Sequence, residues 1–376
     1  MPVNNSLYME FSIDRPQKGS GSLESRVMDW LRFPMAALVV VNHTGSMGGG
    51  SPFPVYSTLC ILFPEAICRL AVPLFFLISG YLFFNGLEDW NKEVYLDKMK
   101  RRSRSLLVPY ILWNLLAVLF FYSYSAFRMH MKGEAFMSFS EQLQEWGWLR
   151  VFWDCDKGLP LNYSLWYIRD LILFVIASPL IHFVLKKIRW VGIAILGALF
   201  LIFNNVHFLG GLLFFSLGCC LRICGKSILE LSRKVRWPAL ILSCLLLPAI
   251  VLTYRDYRPV SNFLMRVFIL SGVFSVFFCA SVAYRARIIR DTPFLARCSF
   301  FIFAAHGILI INEFAHYIVL HTLPLQGEAY YCVDLFLRPA IAIAMCIALY
   351  WLMSKIMPRT LDLLTGGRAK PRTASA

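Results

Sequence analysis

Apolar stretches of about 20 residues each recur along the sequence, separated by short segments rich in Lys and Arg. A helix of about 20 apolar residues crosses the hydrocarbon layer of a bilayer, which is roughly 30 Å thick. Charged residues make up only 16% of the chain, whereas soluble domains contain about 25%. The sequence therefore predicts an all-α, polytopic transmembrane helical bundle.

The spacing predicts ten membrane spans, with both termini in the cytoplasm. The basic residues support this arrangement, because Lys and Arg are enriched in cytoplasmic loops. Of the 37 Lys and Arg residues, 27 fall on the predicted cytoplasmic side and 6 in the predicted outer loops. The spans are placed near residues 27–46, 65–85, 106–127, 164–185, 189–205, 207–224, 237–254, 262–284, 298–320 and 334–356.

Three parts are expected along the chain: a polar cytoplasmic segment at 1–25, a transmembrane domain at 26–357 and a basic cytoplasmic tail at 358–376. Within the tail, Gly366–Ala376 is predicted to be disordered. The net charge of +15 lies beside apolar stretches, where it attracts anionic lipid. No nucleic-acid-binding motif accompanies it. The sequence therefore predicts a multi-pass protein of the cell membrane (the inner, cytoplasmic membrane). Its expected partner is the lipid bilayer, and no nucleic-acid partner is expected.

Two features of the predicted outer side each allow two interpretations. Cys60, Cys155 and Cys332 are placed there, and a disulfide between two of them is one alternative to free thiols. The longest loop, about 128–163, forms either an amphipathic segment on the lipid headgroups or a lid over a site.

Polar residues inside spans are candidates for function, because a charge within the bilayer costs roughly 3 kcal/mol or more. Arg32 and His43 are separated by about 16 Å along a helix and by about 20° beyond three full turns. They therefore share one helix face, which can face the bundle. The alternatives are a snorkelling Arg32 and an interfacial His43.

The second span contains Arg69, Pro73, Ser79 and Gly80. Pro73 removes a helical hydrogen bond and Gly80 allows close backbone approach, so a kinked helix can open a polar cavity beside Arg69 and Ser79. The alternative is a packing kink with a partnered arginine.

The basic segment before the third span places Arg101 and Arg104 one helical turn apart. Two guanidinium groups at this spacing suit a phosphate-rich ligand such as coenzyme A. The alternative is a segment that only sets topology or contacts lipid.

The fourth span begins with Trp166, Arg169 and Asp170. The last two are adjacent, so they are predicted to point to different sides and to find partners on other helices. Asp170 is a candidate to neutralise Arg69 or Arg32.

A later span carries His306 and Glu313, nearly two helical turns apart. A histidine and a carboxylate on one face inside a bundle can serve acid–base work or proton movement. A structurally satisfied polar pair is the alternative. The histidines lack metal-ligand spacing, so no metal is expected.

Together these residues resemble acyltransferase family 3, bacterial integral-membrane O-acyltransferases that modify surface glycans. The resemblance covers about 26–357. Tyr81 stands where many members have Phe, and the C-terminal periplasmic esterase-like domain of many relatives is not expected, as in the short, stand-alone branch. The matching motifs are Arg32-x10-His43, the segment Val72–Tyr81 preceded by Arg69, Pro109-Tyr110, Leu165-Trp166 and Ser299 with His306.

The resemblance implies transfer of an acyl group, usually acetyl, from cytosolic acyl-CoA to a hydroxyl of a glycan or lipid-linked glycan. Acyl-CoA is then a co-substrate, and no permanently bound cofactor is expected. His43 is implied to be essential, with Arg32 as its motif partner, and Arg101 and Arg104 to contact the donor. The other buried polar residues are candidates for the substrate cavity: Arg69, Ser79, Trp166, Arg169, Asp170, His306 and Glu313.

In the expected mechanism His43 acts as general base on the acceptor hydroxyl. Arg32 or Arg69 keeps the base neutral or stabilises the oxyanion, and an acyl-histidine relay is an open variant. The alternative function, from another class, is a transporter or exporter of a polysaccharide, acyl group or small polar solute. In that case the buried Arg, His and Glu form a path for substrate and protons. A third possible function is that of an inactive scaffold in a glycan assembly complex.

Overall fold

The computed structural model describes residues 22–45, 48–84, 91–154, 156, 158–203 and 206–369. The regular structure of these residues is helical, apart from one isolated bridge between Asp154 and Leu159, so the predicted all-α class is confirmed. The helices are α1 (Leu23–Gly45), α2 (Pro54–Cys60), α3 (Ala71–Phe83), α4 (Lys92–Arg102), α5 (Val108–Met131), α6 (Phe139–Trp146), α7 (Trp166–Ile176), α8 (Ser178–Ile202), α9 (Val206–Ile223), α10 (Ile228–Lys234), α11 (Arg236–Thr253), α12 (Arg258–Arg285), α13 (Pro293–Ala305), α14 (His316–Thr322), α15 (Gly327–Ile356) and α16 (Pro358–Thr365).

Several helices continue into one another through wide, π-type turns, in which hydrogen bonds join residues i and i+5. Ile61–Ala66 and the tighter turn Ile67–Leu70 join α2 to α3. Ser103–Leu107 joins α4 to α5, and His306–Ala315 joins α13 to α14. A wide turn rotates the side chains that follow it relative to a regular helix, so residue spacing does not predict their direction.

Among the described residues, six helical segments are long and apolar enough to cross a membrane, or eight if each of two bent pairs is one span. The bent pairs are Tyr163–Ile176 with Ser178–Ile202, at 65°, and His207–Ile223 with Ile228–Lys234, at 103°. The chain is therefore a multi-pass membrane bundle. The count of ten spans and the cytoplasmic position of both termini remain predictions.

The first helix, α1, lies inside the bundle. It packs against α3, α12, α13 and α15, and Val27, Leu31 and Val40 on its length are buried. It is not among the six apolar spans, since it carries polar side chains such as Arg32 and His43. A helix surrounded by other helices can hold such groups against protein partners, away from lipid.

The closest helix crossing joins α3 to α9. A Cβ atom added to Gly80 would lie 2.1 Å from the carbonyl oxygen of Phe215, and one added to Gly218 would lie 2.2 Å from that of Leu77. The two backbones are therefore in direct contact, as small residues permit at membrane helix interfaces. This crossing fixes the position of Ser79, which precedes Gly80.

Loops predicted to share one side of the membrane meet at the same end of the bundle. Arg26 pairs with Asp291 at 2.9 Å, and Glu24 accepts a hydrogen bond from Ser227 at 2.7 Å. This end, which holds the start of α1 and the loops before α10 and α13, is called the basic end. At the opposite end, Glu328 accepts hydrogen bonds from two backbone N–H groups of α2.

The opposite end also holds the long loop, in which α6 forms a short helix. The α6 helix begins with a capping box in which Ser138 and Glu141 exchange hydrogen bonds. Whether α6 rests on lipid or covers a site stays a prediction. Cys60 and Cys332 are free thiols, and Cys155 lies outside the described residues.

Candidate active site

Two histidines from different helices face each other inside the bundle. The ring of His43, near the end of α1, lies 5.3 Å from the ring of His306, which directly follows α13. The edge of Tyr163 packs against His43, with ring centroids 4.8 Å apart. Two imidazoles and a phenol thus form one polar group, which we call the histidine pair with its tyrosine.

The hydrogen bonds of His306 show which of its ring nitrogens carries the proton. Its Nδ1 lies 3.0 Å from the carbonyl oxygen of Ile302, and a carbonyl oxygen can only accept, so Nδ1 carries the hydrogen. In the neutral ring Nε2 is then an acceptor, and the Ser164 hydroxyl lies 3.4 Å from it. Because His306 and Ser164 are fully buried, this pairing fixes the ring beside His43.

The chain breaks its helical course immediately after His306. Ile308 and Leu309 have non-helical backbone angles, with φ +60° at Leu309. A Cβ atom on Gly307 would lie 2.5 Å from the Ser164 hydroxyl oxygen, so a larger residue here would displace the Ser164 side chain from its present position beside His306. The break lets the segment after α13 fold tightly over the start of α7.

The same break separates His306 from Glu313. The expectation that they share a face assumed a regular helix, and the interruption at Ile308 and Leu309 makes it wrong. Glu313 instead accepts a hydrogen bond from the Tyr124 hydroxyl of α5. The two residues have different partners, so the structure does not join them in one acid–base pair.

Below the histidine pair, towards the basic end, lies a layer of aromatic rings. Tyr167 is at its centre, with the rings of Phe75, Phe76 and Phe303 at 5.7, 4.6 and 5.7 Å. The Tyr167 hydroxyl lies 3.1 Å from that of Ser79. Ser79 is thus placed by the α3–α9 crossing beside the one hydroxyl in this ring layer.

An arginine cluster lies on the other side of this layer. Arg32 of α1, Arg102 at the end of α4 and Arg368 after α16 are electrostatic neighbours of one another and of Tyr167. Arg32 pairs with Asp29 at 3.0 Å. Arg102 lies over the Phe83 ring at 5.5 Å and has no hydrogen-bond or ion-pair partner within the described part of the chain. The cluster therefore carries excess positive charge facing the bundle interior.

The two arginines that the spacing singled out lie elsewhere. Arg101 is exposed and pairs with Asp97 at 2.9 Å, and Arg104 is also exposed. The wide turn at Ser103–Leu107 follows directly after Arg102. Which member of this basic run faces inward depends on that turn, so the sequence alone could not identify Arg102.

Arg69 and Trp166 lie in the opposite half of the bundle. Arg69 forms an ion pair with Glu65, one turn earlier, which agrees with the alternative of a partnered arginine. The Trp166 ring packs at 5.1 Å against His207 of α9, and His207 is an electrostatic neighbour of Arg69. The group links the turn before α3 to α7 and α9.

Arg169 and Asp170 pair with each other, which contradicts the expectation of partners on other helices. Two guanidinium nitrogens of Arg169 donate to Asp170 Oδ1 at 2.9 and 2.7 Å, and a third donates to the backbone oxygen of Gly158 at 2.5 Å. Asp170 therefore neutralises neither Arg69 nor Arg32. Its buried Oδ2 has no hydrogen-bond partner among the described residues.

Comparison with known protein families and sequences identifies the class of this protein. The family model described as an acyltransferase domain, acyltransferase family 3, matches residues 26–355, so the chain belongs to that family and is a membrane O-acyltransferase. It is 25% identical over 349 residues to the succinoglycan biosynthesis protein ExoH of Rhizobium meliloti (strain 1021), a match that covers 90% of this chain and 91% of that protein. No solved structure is significantly similar to the chain.

Proposed function

We propose that the protein transfers an acyl group, acetyl in the first instance, from cytosolic acyl-CoA to a hydroxyl of a glycan or lipid-linked glycan at the cell membrane. The family supports acyl transfer, and the name of the similar protein connects that relative to polysaccharide synthesis. The observation that carries the proposal is the position of the histidine pair, between the arginine cluster at one end and the opposite end of the bundle.

In this proposal the basic end receives the donor. Among the described residues, the N–H donors of Arg102 beside Arg32 have no acceptor, and a phosphate group accepts charge-assisted hydrogen bonds from such groups. We assign the donor phosphates to this inward-facing pair, with exposed Arg101 and Arg104 at the rim attracting the donor from solution. The acyl-bearing arm then passes the Tyr167 ring layer towards His43.

Acyl transfer requires a base at the acceptor hydroxyl, and His43 is the assigned base. His43 takes the hydroxyl proton while the oxygen attacks the thioester carbonyl carbon and forms the new ester bond. The carbon–sulfur bond then breaks, and the leaving thiolate takes up the proton that His43 gives back. His306, with Nδ1 bound to Ile302, keeps its ring beside His43 and positions it. Arg32 lies about 16 Å away along α1, which places it at the donor end.

The test is mass spectrometry of surface glycans from cells that express the wild-type protein, His43→Ala or His321→Ala. His321 is an exposed histidine stacked on Tyr317 at the opposite end, so it is a matched control. General acid–base catalysis contributes about 10²–10⁴-fold, so His43→Ala should abolish detectable acylation while protein abundance stays normal. Acylation at the wild-type level in His43→Ala would overturn the proposal.

A further inference from the structure

The C-terminal segment folds back under the basic end of the bundle. The α16 helix buries Leu361 and Leu364. The indole N–H of Trp113 in α5 donates to the carbonyl oxygen of Leu364 at 2.9 Å. The prediction of a disordered tail is therefore wrong for residues 366–369, which continue this packed segment.

Two glycines turn the chain after α16. Gly366 and Gly367 have φ angles of +62° and +81°, which other residues rarely adopt. A Cβ atom on Gly366 would lie 2.5 Å from the carbonyl oxygen of Ser105, in the turn between α4 and α5. The backbone of the segment therefore lies directly against the turn that follows Arg102, and the next residue, Arg368, points into the bundle.

Arg368 is only partly used by the protein itself. Its Nη1 donates to the carbonyl oxygens of Ser105 and Thr365 at 2.8 and 2.7 Å, and its guanidinium lies 4.4 Å from the Phe300 ring centroid. Its Nε and Nη2 have no acceptor within the described residues. A guanidinium held by one nitrogen leaves its remaining donors available to a ligand.

Within the described residues, the charges that act on Arg368 are of one sign. They come from Arg32 and Arg102, and no carboxylate of the described residues is among them. Burial, followed by these two positive charges, lowers the pKa of Arg368 to about 10. The group stays protonated at neutral pH in surroundings that disfavour its charge, and a bound anion would remove that repulsion.

We propose that residues 358–369 form a strap across the donor end, and that Arg368 binds a phosphate group of the nucleotide portion of acyl-CoA together with Arg102. This inference rests on the proposed function, because it assumes acyl-CoA as donor. A clip role for Arg368 would need only its Nη1 bonds to Ser105 and Thr365. Such a role does not require two further guanidinium groups, Arg32 and Arg102, beside it. It also does not account for Arg102, which has no carboxylate partner among the described residues.

The test measures binding of coenzyme A to the purified full-length protein in nanodiscs of phosphatidylcholine, by isothermal titration calorimetry. Arg368→Gln should raise the Kd at least about tenfold, because a charge-assisted contact is lost. The Kd of Arg368→Lys should lie between those of the wild type and Arg368→Gln, since an ammonium supplies charge but not the guanidinium geometry. Arg359→Gln is the control, because Arg359 is an exposed arginine of the same segment, and its Kd should match the wild type.

A second variant tests the strap separately from the charge. Gly366→Ala places a methyl group against the Ser105 backbone, so it should displace the segment and weaken coenzyme A binding while Arg368 is intact. An unchanged Kd in both Arg368→Gln and Gly366→Ala overturns the inference, and so does a change that appears only in nanodiscs containing phosphatidylglycerol, which would assign Arg368 to lipid. If the wild type binds no coenzyme A, the donor assignment fails as well. If the Kd of both Arg368→Gln and Gly366→Ala equals that of the wild type, while His43→Ala still abolishes acylation, the proposed function stands and the strap is refuted.

Discussion

Replacing Gly80 by alanine tests the α3–α9 crossing on which the position of Ser79 depends. The new Cβ would lie 2.1 Å from a backbone oxygen, whereas ordinary contact begins at 3.4 Å. The helices must therefore separate by about 1.3 Å, because a backbone oxygen cannot rotate away as a side chain can. Overpacking of this kind destabilises by about 1–3 kcal/mol, and we expect the upper half of that range.

For a protein of this size such a loss lowers the melting temperature by about 3–4 °C. It is measured by thermal unfolding of the purified protein in detergent, followed by tryptophan fluorescence. Gly197→Ala is the matched control, since Gly197 lies in α8 with no atom within 4 Å of its added Cβ. Alanine is also the better helix former, by about 1 kcal/mol, so the control should melt no lower than the wild type. Equal melting temperatures for Gly80→Ala and Gly197→Ala would refute the close backbone contact.

Two further predictions concern the basic end. Glu24→Ala removes the carboxylate that accepts hydrogen bonds from Tyr81, Ser227 and the first N–H of α10. Unfolding in detergent should show that the free energy of unfolding falls by about 1–3 kcal/mol. The control, Glu93→Ala at an exposed position, should leave the free energy of unfolding unchanged. Arg102→Gln should raise the KM for acyl-CoA about tenfold, while the double change of exposed Arg101 and Arg104 to Gln should raise it no more than about twofold at physiological salt, because solvent and ions screen exposed charges. The reverse order in steady-state kinetics would contradict the inward position of Arg102.

Much of the architecture could be predicted from the sequence, because long apolar stretches have few folds available in a membrane. The helical spacing placed Arg32 and His43 on one helix, and α1 spans both. His306 was singled out for its position within an apolar span, although nothing in the sequence indicated that it would face His43. That contact depends on how α1 packs against α13, which spacing along one helix does not determine.

The misplaced residues share a physical cause. Glu313 follows the break at Ile308 and Leu309, and Arg368 follows the glycine turn. In both cases the local backbone leaves the regular geometry that a spacing argument assumes. Arg169 and Asp170 show the other limit: long side chains can bend back to a sequence neighbour, so adjacent positions do not ensure separate partners.

The ring layer around Tyr167 has a consequence for how material crosses the protein. It separates the arginine cluster from the histidine pair by side chains alone, here Tyr167, Phe75, Phe76 and Phe303. Rotation of such rings about their χ angles would open a passage without a change in helix positions, whereas carriers with alternating access rock whole helix bundles against each other. Under the proposed function, the permeability barrier for small ions and the route for the acyl arm are the same few side chains, so one rotamer change would both admit the substrate and break the seal.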